Sequence, residues 1–349
     1  MRSPALLSLL FTLLAVGQPG SAAPLPPPAA EPDRLDHVLL WGRSIDEVTS
    51  MMTAKLGFQV VPGRNPGGVA NRYIRMADGS YVELLGITRS DASMDPGMLA
   101  DQASLHGSAG ARTFGLRAPD LELRRKQLAL QGFAPTDVSS ASADDPDGDG
   151  PAHPPRWRLF AFKRDPLSSH LFFIDYATLA ATPGRAAAGR AARMHPNGAQ
   201  AVTGFWLLSR NAGADRDRLA RMGFGGATPI RFPQLAARGY CVPVGGKRLL
   251  ALQPDGPGIA ADALRAGGPQ VLGIDVAVAD LDAARLRIAR GYETQLAAYR
   301  GLFGTSFLAP TRNDLGLLVE FHVPAAQAGS LACPAAADGA ERGGVPAGR

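Results

Sequence analysis

His37 lies in an apolar run, LDHVLLW, and Glu83 in another, YVELLGI. Burying an imidazole or a carboxylate in such runs is costly unless each finds a partner, and a divalent cation suits both. If the two runs lie side by side as strands, this stretch supplies half of a metal site. Asn71, Tyr73 and Arg75 lie in a third strand-like run, NRYIRM. They are candidates to line a cavity beside the pair, with Arg75 meeting an anionic group.

The elements that must position these residues recur along the chain. HVLLWGRSIDEV…LGF, TFGLRAPDLEL…QGF, VTGFWLLSRNAGADRDRLARMGF and VLGIDVAVADLDAARLRIARGY each read as an apolar strand, a polar helix start and an amphipathic helix. Each ends in glycine and an aromatic: Gly57-Phe58, Gly132-Phe133, Gly223-Phe224 and Gly291-Tyr292. Glycine there suits a left-handed helix end. Ser44 and Glu47 are spaced as a capping box. Further strand-like runs follow in every copy: residues 71–76 and 81–87, 158–162 and 170–176, 247–253, then 306–308 and 317–323. The unit is β-α-β-β-β, repeated four times. One unit would expose an apolar sheet face, so units must pair, and two form a half-barrel around a concave cavity. The predicted fold class is α+β, with four modules forming two half-barrel domains.

Composition narrows the rest. At 349 residues the chain is long enough for two domains, and 46% apolar with 19% charged residues is globular. The net charge is +5, but only four of the 36 basic residues are lysine and no basic cluster is interleaved with aromatics. No nucleic-acid partner is expected. Arg2, an apolar run from Leu6 to Val16 and the small residues Ser21–Ala23 follow the order of a secretory signal and are too short to span a bilayer. We expect a signal peptide at 1–23, a Pro/Ala linker at 24–33, module pairs at 34–178 and 200–324 joined by a linker at 179–199, and a flexible tail at 325–349. The mature protein is expected to be periplasmic or secreted, without stable membrane insertion. Cys241 and Cys333 are then either a disulfide or two separate thiols. Asp145, Asp147, Asp149 and Gly150 open like a calcium loop. The twelfth position is Arg156, not glutamate, and the stretch reads as a solvated acidic loop. Gly256-Pro257-Gly258 only imitates a dinucleotide turn, and no nucleophilic-hydrolase or P-loop motif occurs.

With these motifs in place, LDHV, LGFQVVPG, GRNPGGVAN and YVELLGI, followed by RWRLFAF, HLFFIDY and HPNGA, resemble the glyoxalase-like members of the vicinal oxygen chelate superfamily. The resemblance implies a divalent metal at the mouth of a half-barrel, held by first and last strands of two paired modules. It places His37 and Glu83 as ligands from the first module, and it does not choose among Zn, Fe, Mn and Ni. In the second module Thr113 stands where His37 does, and Phe172 where Glu83 does. His170, two residues from Phe172 on the same strand face, and His195 are the candidate replacements. Asn65 occupies a turn position where relatives often carry histidine. The fourth module has Gly273 at the first position but keeps Glu320, with His322 on the same face.

The function so implied is an exported metal-dependent isomerase, lyase or dioxygenase acting on a small oxygen-bearing molecule, with Glu83 also moving a proton. The alternative is a non-catalytic protein that sequesters a small molecule in the same cavity. For His37 and Glu83, the plainer reading is a hydrogen-bonded pair without an ion.

Overall fold

The computed structural model describes residues 32–63, 66–140, 156–178, 182–323 and 333–334. The expected signal segment, Asn65 and the Asp145–Gly150 loop lie outside these residues, as does nearly all of the tail. The chain divides into Met1–Glu31 and a compact unit, Pro32–Arg349. No helix among the described residues is long and apolar enough to cross a membrane.

The described residues form a mixed α+β fold. In the first stretch, β1 (Arg34–Trp41) lies parallel to β4 (Tyr81–Ile87), which pairs antiparallel with β3 (Val69–Arg75), and that with β2 (Val61–Pro62). The same order recurs in β5 (Gly110–Arg117), β8 (His170–Tyr176), β7 (Trp157–Phe160) and β6 (Ser139–Ser140). It recurs in β9 (Ala199–Leu208), β12 (Lys247–Pro254), β11 (Ala237–Val244) and β10 (Thr228–Phe232). It appears again in β13 (Gln270–Val278), β16 (Leu318–His322), β15 (Gly304–Ala309) and β14 (Tyr299–Gly301). First strands join the stretches antiparallel, β1 to β5 and β9 to β13, while a single register pair, Val271 and Ala111, links β13 to β5.

Helices cover one face of this sheet. Ile45 and Val48 of α1 (Ile45–Ser50), with Met52 and Leu56 beyond it, are buried at helical spacing against Val38, Leu40, Val82 and Leu84. Ser44 caps α1 by accepting from the Glu47 amide at 3.1 Å. The reciprocal half of the expected box is not used, because Arg43 draws the Glu47 carboxylate to itself at 2.8 Å. Gly57, Gly132 and Gly223 adopt the left-handed conformation expected of helix ends. Gly291 does not, and Glu293 takes φ 51° instead. Gly291 serves a close approach: a Cβ there would meet the Lys55 carbonyl oxygen at 2.3 Å.

The opposite sheet face carries helices that periodicity did not reveal. α2 (Pro96–Leu105), capped by Asp95 and started by Pro96, packs against an apolar group made by Trp41, Val69, Leu85 and Leu105. α3 (Ile259–Gly267) packs similarly over Trp206, Leu250 and Leu272. Cys333 joins that second group and is disulfide-bonded to Cys241 of β11.

Candidate functional site

A β-bulge creates the site. On β1, Leu35 faces Leu116 and His37 faces Gly115, so Asp36 is an extra residue on one strand. Strict alternation would send neighbouring side chains to opposite faces, but the bulge re-aims them. Asp36 and His37 therefore meet on the α2 side, and Asp36 Oδ2 lies 2.7 Å from His37 Nδ1. Both residues are buried. A carboxylate only accepts, so Nδ1 carries a proton.

The parallel pairing of β1 with β4 sets Leu39 across from Glu83 and His37 across from Tyr81. Glu83 Oε2 comes to 3.5 Å from His37 Nε2. Its other oxygen accepts from Asn71 Nδ2 at 2.9 Å, and the same amide nitrogen lies 2.8 Å from the Tyr73 hydroxyl. The Glu83 side chain keeps 15% exposure, enough to meet a small molecule. Burial pushes the Glu83 pKa above the usual carboxylate value; His37 and the Asn71 hydrogen bond pull it back, and Asp36 adds to the rise.

The imidazole is held from all sides. The Tyr81 ring stacks on it at 4.2 Å and the Phe172 ring meets it edge-on at 5.1 Å. Gly115 makes room, since a Cβ there would sit 2.7 Å from the Phe172 ring and 3.2 Å from His37 Cε1. Tyr176 donates to Asp36 Oδ2 at 2.6 Å and has no second proton, so Tyr81 is the donor across the 2.9 Å contact between the two hydroxyls. Burial pushes both phenols well above their ordinary pKa, so both stay protonated.

The other expected ligands are placed elsewhere. His170 shares the site face but turns into Asp101 of α2, 2.7 Å from Nδ1, and Asp165, 3.3 Å from Nε2. Those hydrogen bonds, the Asp101 one first, raise its pKa to about 10. A protonated imidazole has no lone pair for an ion. His195 accepts from the Gln59 amide through Nδ1 and donates to the Arg75 carbonyl through Nε2. Both of its nitrogens are engaged, beside Phe58.

Among the described residues, His37 and Glu83 are thus two metal donors without a third. Thr113 gives its hydroxyl to Asp101 at 2.7 Å, and Phe172 offers only a ring. Among the described residues no group of three or more His, Cys, Asp or Glu side chains is arranged to hold a metal ion. A divalent centre of the implied class needs at least three protein ligands. The described residues do not fit one.

Asn71, Tyr73 and Arg75 share a face with Glu83, as their register against Leu85, Glu83 and Tyr81 requires. Asp36, Tyr81 and Tyr176 were missed in the sequence. Only the bulge makes Asp36 a neighbour of His37 on one face, and two-residue spacing hides it.

Glu320 and His322 belong to a separate buried group. Arg248 lies 3.4 Å from Asp275 and 3.3 Å from His322 Nε2, and its guanidinium stacks on Phe303. Tyr299 donates to Glu320. Arg248, Asp275, Glu320 and His322 are all fully buried.

The family model described as a glyoxalase-like domain matches residues 35–223. No curated protein matches the chain. Among solved structures, a triple mutant of 4-hydroxymandelate synthase from Streptomyces coelicolor is similar at TM-score 0.60 and 14% identity, over 86% of this chain and 96% of that one. A hypothetical protein from Staphylococcus aureus is similar at TM-score 0.52 and 12% identity, over 83% and 99%. Catechol 2,3-dioxygenase is similar at TM-score 0.50 and 15% identity, over 85% and 91%. At these identities the likeness concerns the fold.

Proposed function

The chain belongs to the glyoxalase-like family of the vicinal oxygen chelate superfamily, and on that premise we propose that it is an enzyme that moves a proton on a small oxygen-bearing molecule, with Glu83 as the acid–base group. The observation that carries this reading is the Asp36–His37–Glu83 line. A mostly buried carboxylate with a raised pKa faces an imidazole whose other nitrogen is fixed by a second carboxylate. Ionised Glu83 accepts a proton from a C–H or O–H of the substrate, while Asn71 Nδ2 steadies the carboxylate. His37 Nε2 takes that proton on or returns it to the product, and Asp36 stabilises the imidazolium while it exists. Isomerase and lyase chemistry both begin with such a transfer.

Deuterium incorporation from deuterated water into a panel of small 2-hydroxy carbonyl compounds, followed by NMR, tests the reading. Exchange in the wild type that falls by about 100-fold or more in Glu83→Gln supports it. Equal exchange in the variant contradicts it. A second reading, sequestration without turnover, is favoured by Thr113 and Phe172 standing at the second-module ligand positions. It predicts saturable binding with no exchange at any member of the panel. We also carry two further proposals: the division into module pairs at 34–178 and 200–324, and export of the mature protein. The Cys241–Cys333 disulfide supports an oxidising compartment.

A further inference from the structure

The site face has a closed end and an open one. At the closed end Trp41, Leu85 and Val69 pack under α2. At the open end, the β1–β5 register places Arg34 directly across from Arg117. Register partners share a face, and Leu35 and Leu116, the next pair along, point into the helix-side core. Arg34 and Arg117 therefore project from the site face together. Like charges directly opposite on paired strands repel, so this arrangement is unfavourable by itself.

No carboxylate relieves it among the described residues. Asp33, the nearest acid in sequence, pairs with Arg124 at 2.6 Å, and Asp36 is already taken by His37 and Tyr176. Lys247 adds positive charge near Arg34, and its own partner is Asp78 at 2.6 Å. Arg117 is held instead by a ring: its guanidinium lies 5.4 Å from the centroid of Tyr176, whose hydroxyl leads through Asp36 to His37. Stacking orients the planar group and leaves its edge free to donate. Across the same face Arg75 stacks in the same manner on Tyr73, 5.2 Å from its centroid.

We propose that Arg34 and Arg117 bind an anionic oxygen group, a carboxylate or a phosphate, of the molecule that reacts at Glu83. Arg117 lies two residues along β5 from Gly115, the cross-strand partner of His37. At about 3.3 Å per residue that separation is roughly 7 Å. Glu83 itself is level with Leu39 and Thr113, two residues further along, so the substrate class is an acid long enough for its charged group to reach the arginine pair while its reacting carbon meets the Glu83 carboxylate. The inference rests on the proton-transfer reading for what happens at the other end of the molecule, but its test does not.

Calorimetric titration of the mature protein with matched pairs, lactate against lactamide and glycerol phosphate against glycerol, decides it. At least one acid is expected to bind ten-fold or more tightly than its neutral partner, and which one does so identifies the group. That preference should vanish in Arg34→Gln/Arg117→Gln, return in Arg34→Lys/Arg117→Lys, and survive in Glu83→Gln. Survival in Glu83→Gln separates the two proposals, because loss of exchange there leaves anion binding intact. The inference is overturned if no acid outbinds its neutral partner, or if the preference persists in the double glutamine variant. If the glutamine variant does not fold, salt titration of the wild type stands in: acid binding must weaken steeply with ionic strength while neutral binding holds.

Discussion

At the scale of the residue, one hydrogen bond decides what His37 can do. Asp36 holds a proton on Nδ1, and Nε2 faces Glu83. Asp36→Asn can present an amide hydrogen to Nδ1 and favour the opposite tautomer. We expect exchange to drop by roughly 100-fold in this variant, with ligand affinity changed little, in a comparison of rate and binding constants. Glu83 sets the pH dependence. Its folded pKa is raised, so the base is lost as pH falls through a value above the ordinary carboxylate range, and the acid limb of the rate profile should lie there. His37 and Glu83 were legible in the sequence because each is a polar residue in an apolar run. Asp36 was not, since it precedes His37 by one position and only a bulge brings the two together.

At the scale of the element, the strands fix distances and α2 fixes one wall. Gly115→Ala tests the register: the added methyl must displace the Phe172 ring and press on His37. We expect a stability loss of about 1–3 kcal/mol by denaturant titration, with a larger fall in exchange than in global stability. α2 is tied down by Asp101, which accepts from Trp41 at 3.0 Å and from Thr113, and pairs with His170. The pKa of His170 rises in the fold to about 10, so its stabilisation is complete below about 6.5 and is lost as pH rises from there through about 10. Asp101→Asn should cost roughly 2–3 kcal/mol at neutral pH and flatten the pH dependence of stability across that window, read by thermal denaturation. The strands carrying His37, Glu83 and His170 follow from apolar runs. α2 did not, because its ten residues carry no strong apolar stripe, and β11 did not, because glycine and proline interrupt it.

At the scale of the whole molecule, two similar strand pairs have separate fates. The β1–β8 half keeps a polar, partly exposed line at Glu83. In the β9–β16 half, Arg248 is enclosed with Asp275, Glu320 and His322, and Phe303 stacks on its guanidinium. Recurrent strand–helix–glycine patterns made the fold readable, since each unit repeats one local signal. They could not say which half would hold a site, because that depends on which side chains face each other across strands. The Cys241–Cys333 disulfide links residues 92 apart in sequence at the sealed half. Cys333→Ser should lower global stability by about 2–4 kcal/mol in denaturant titration while leaving exchange at Glu83 unchanged.

The central claim is that Asp36, His37 and Glu83 form one proton-handling line, and nitrogen NMR of the His37 imidazole tests it most directly. The wild type at neutral pH is expected to show the Nδ1–H tautomer, shifting toward the Nε2–H form in Asp36→Asn. An Nε2–H tautomer in the wild type, or a tautomer indifferent to Asp36→Asn, would contradict it.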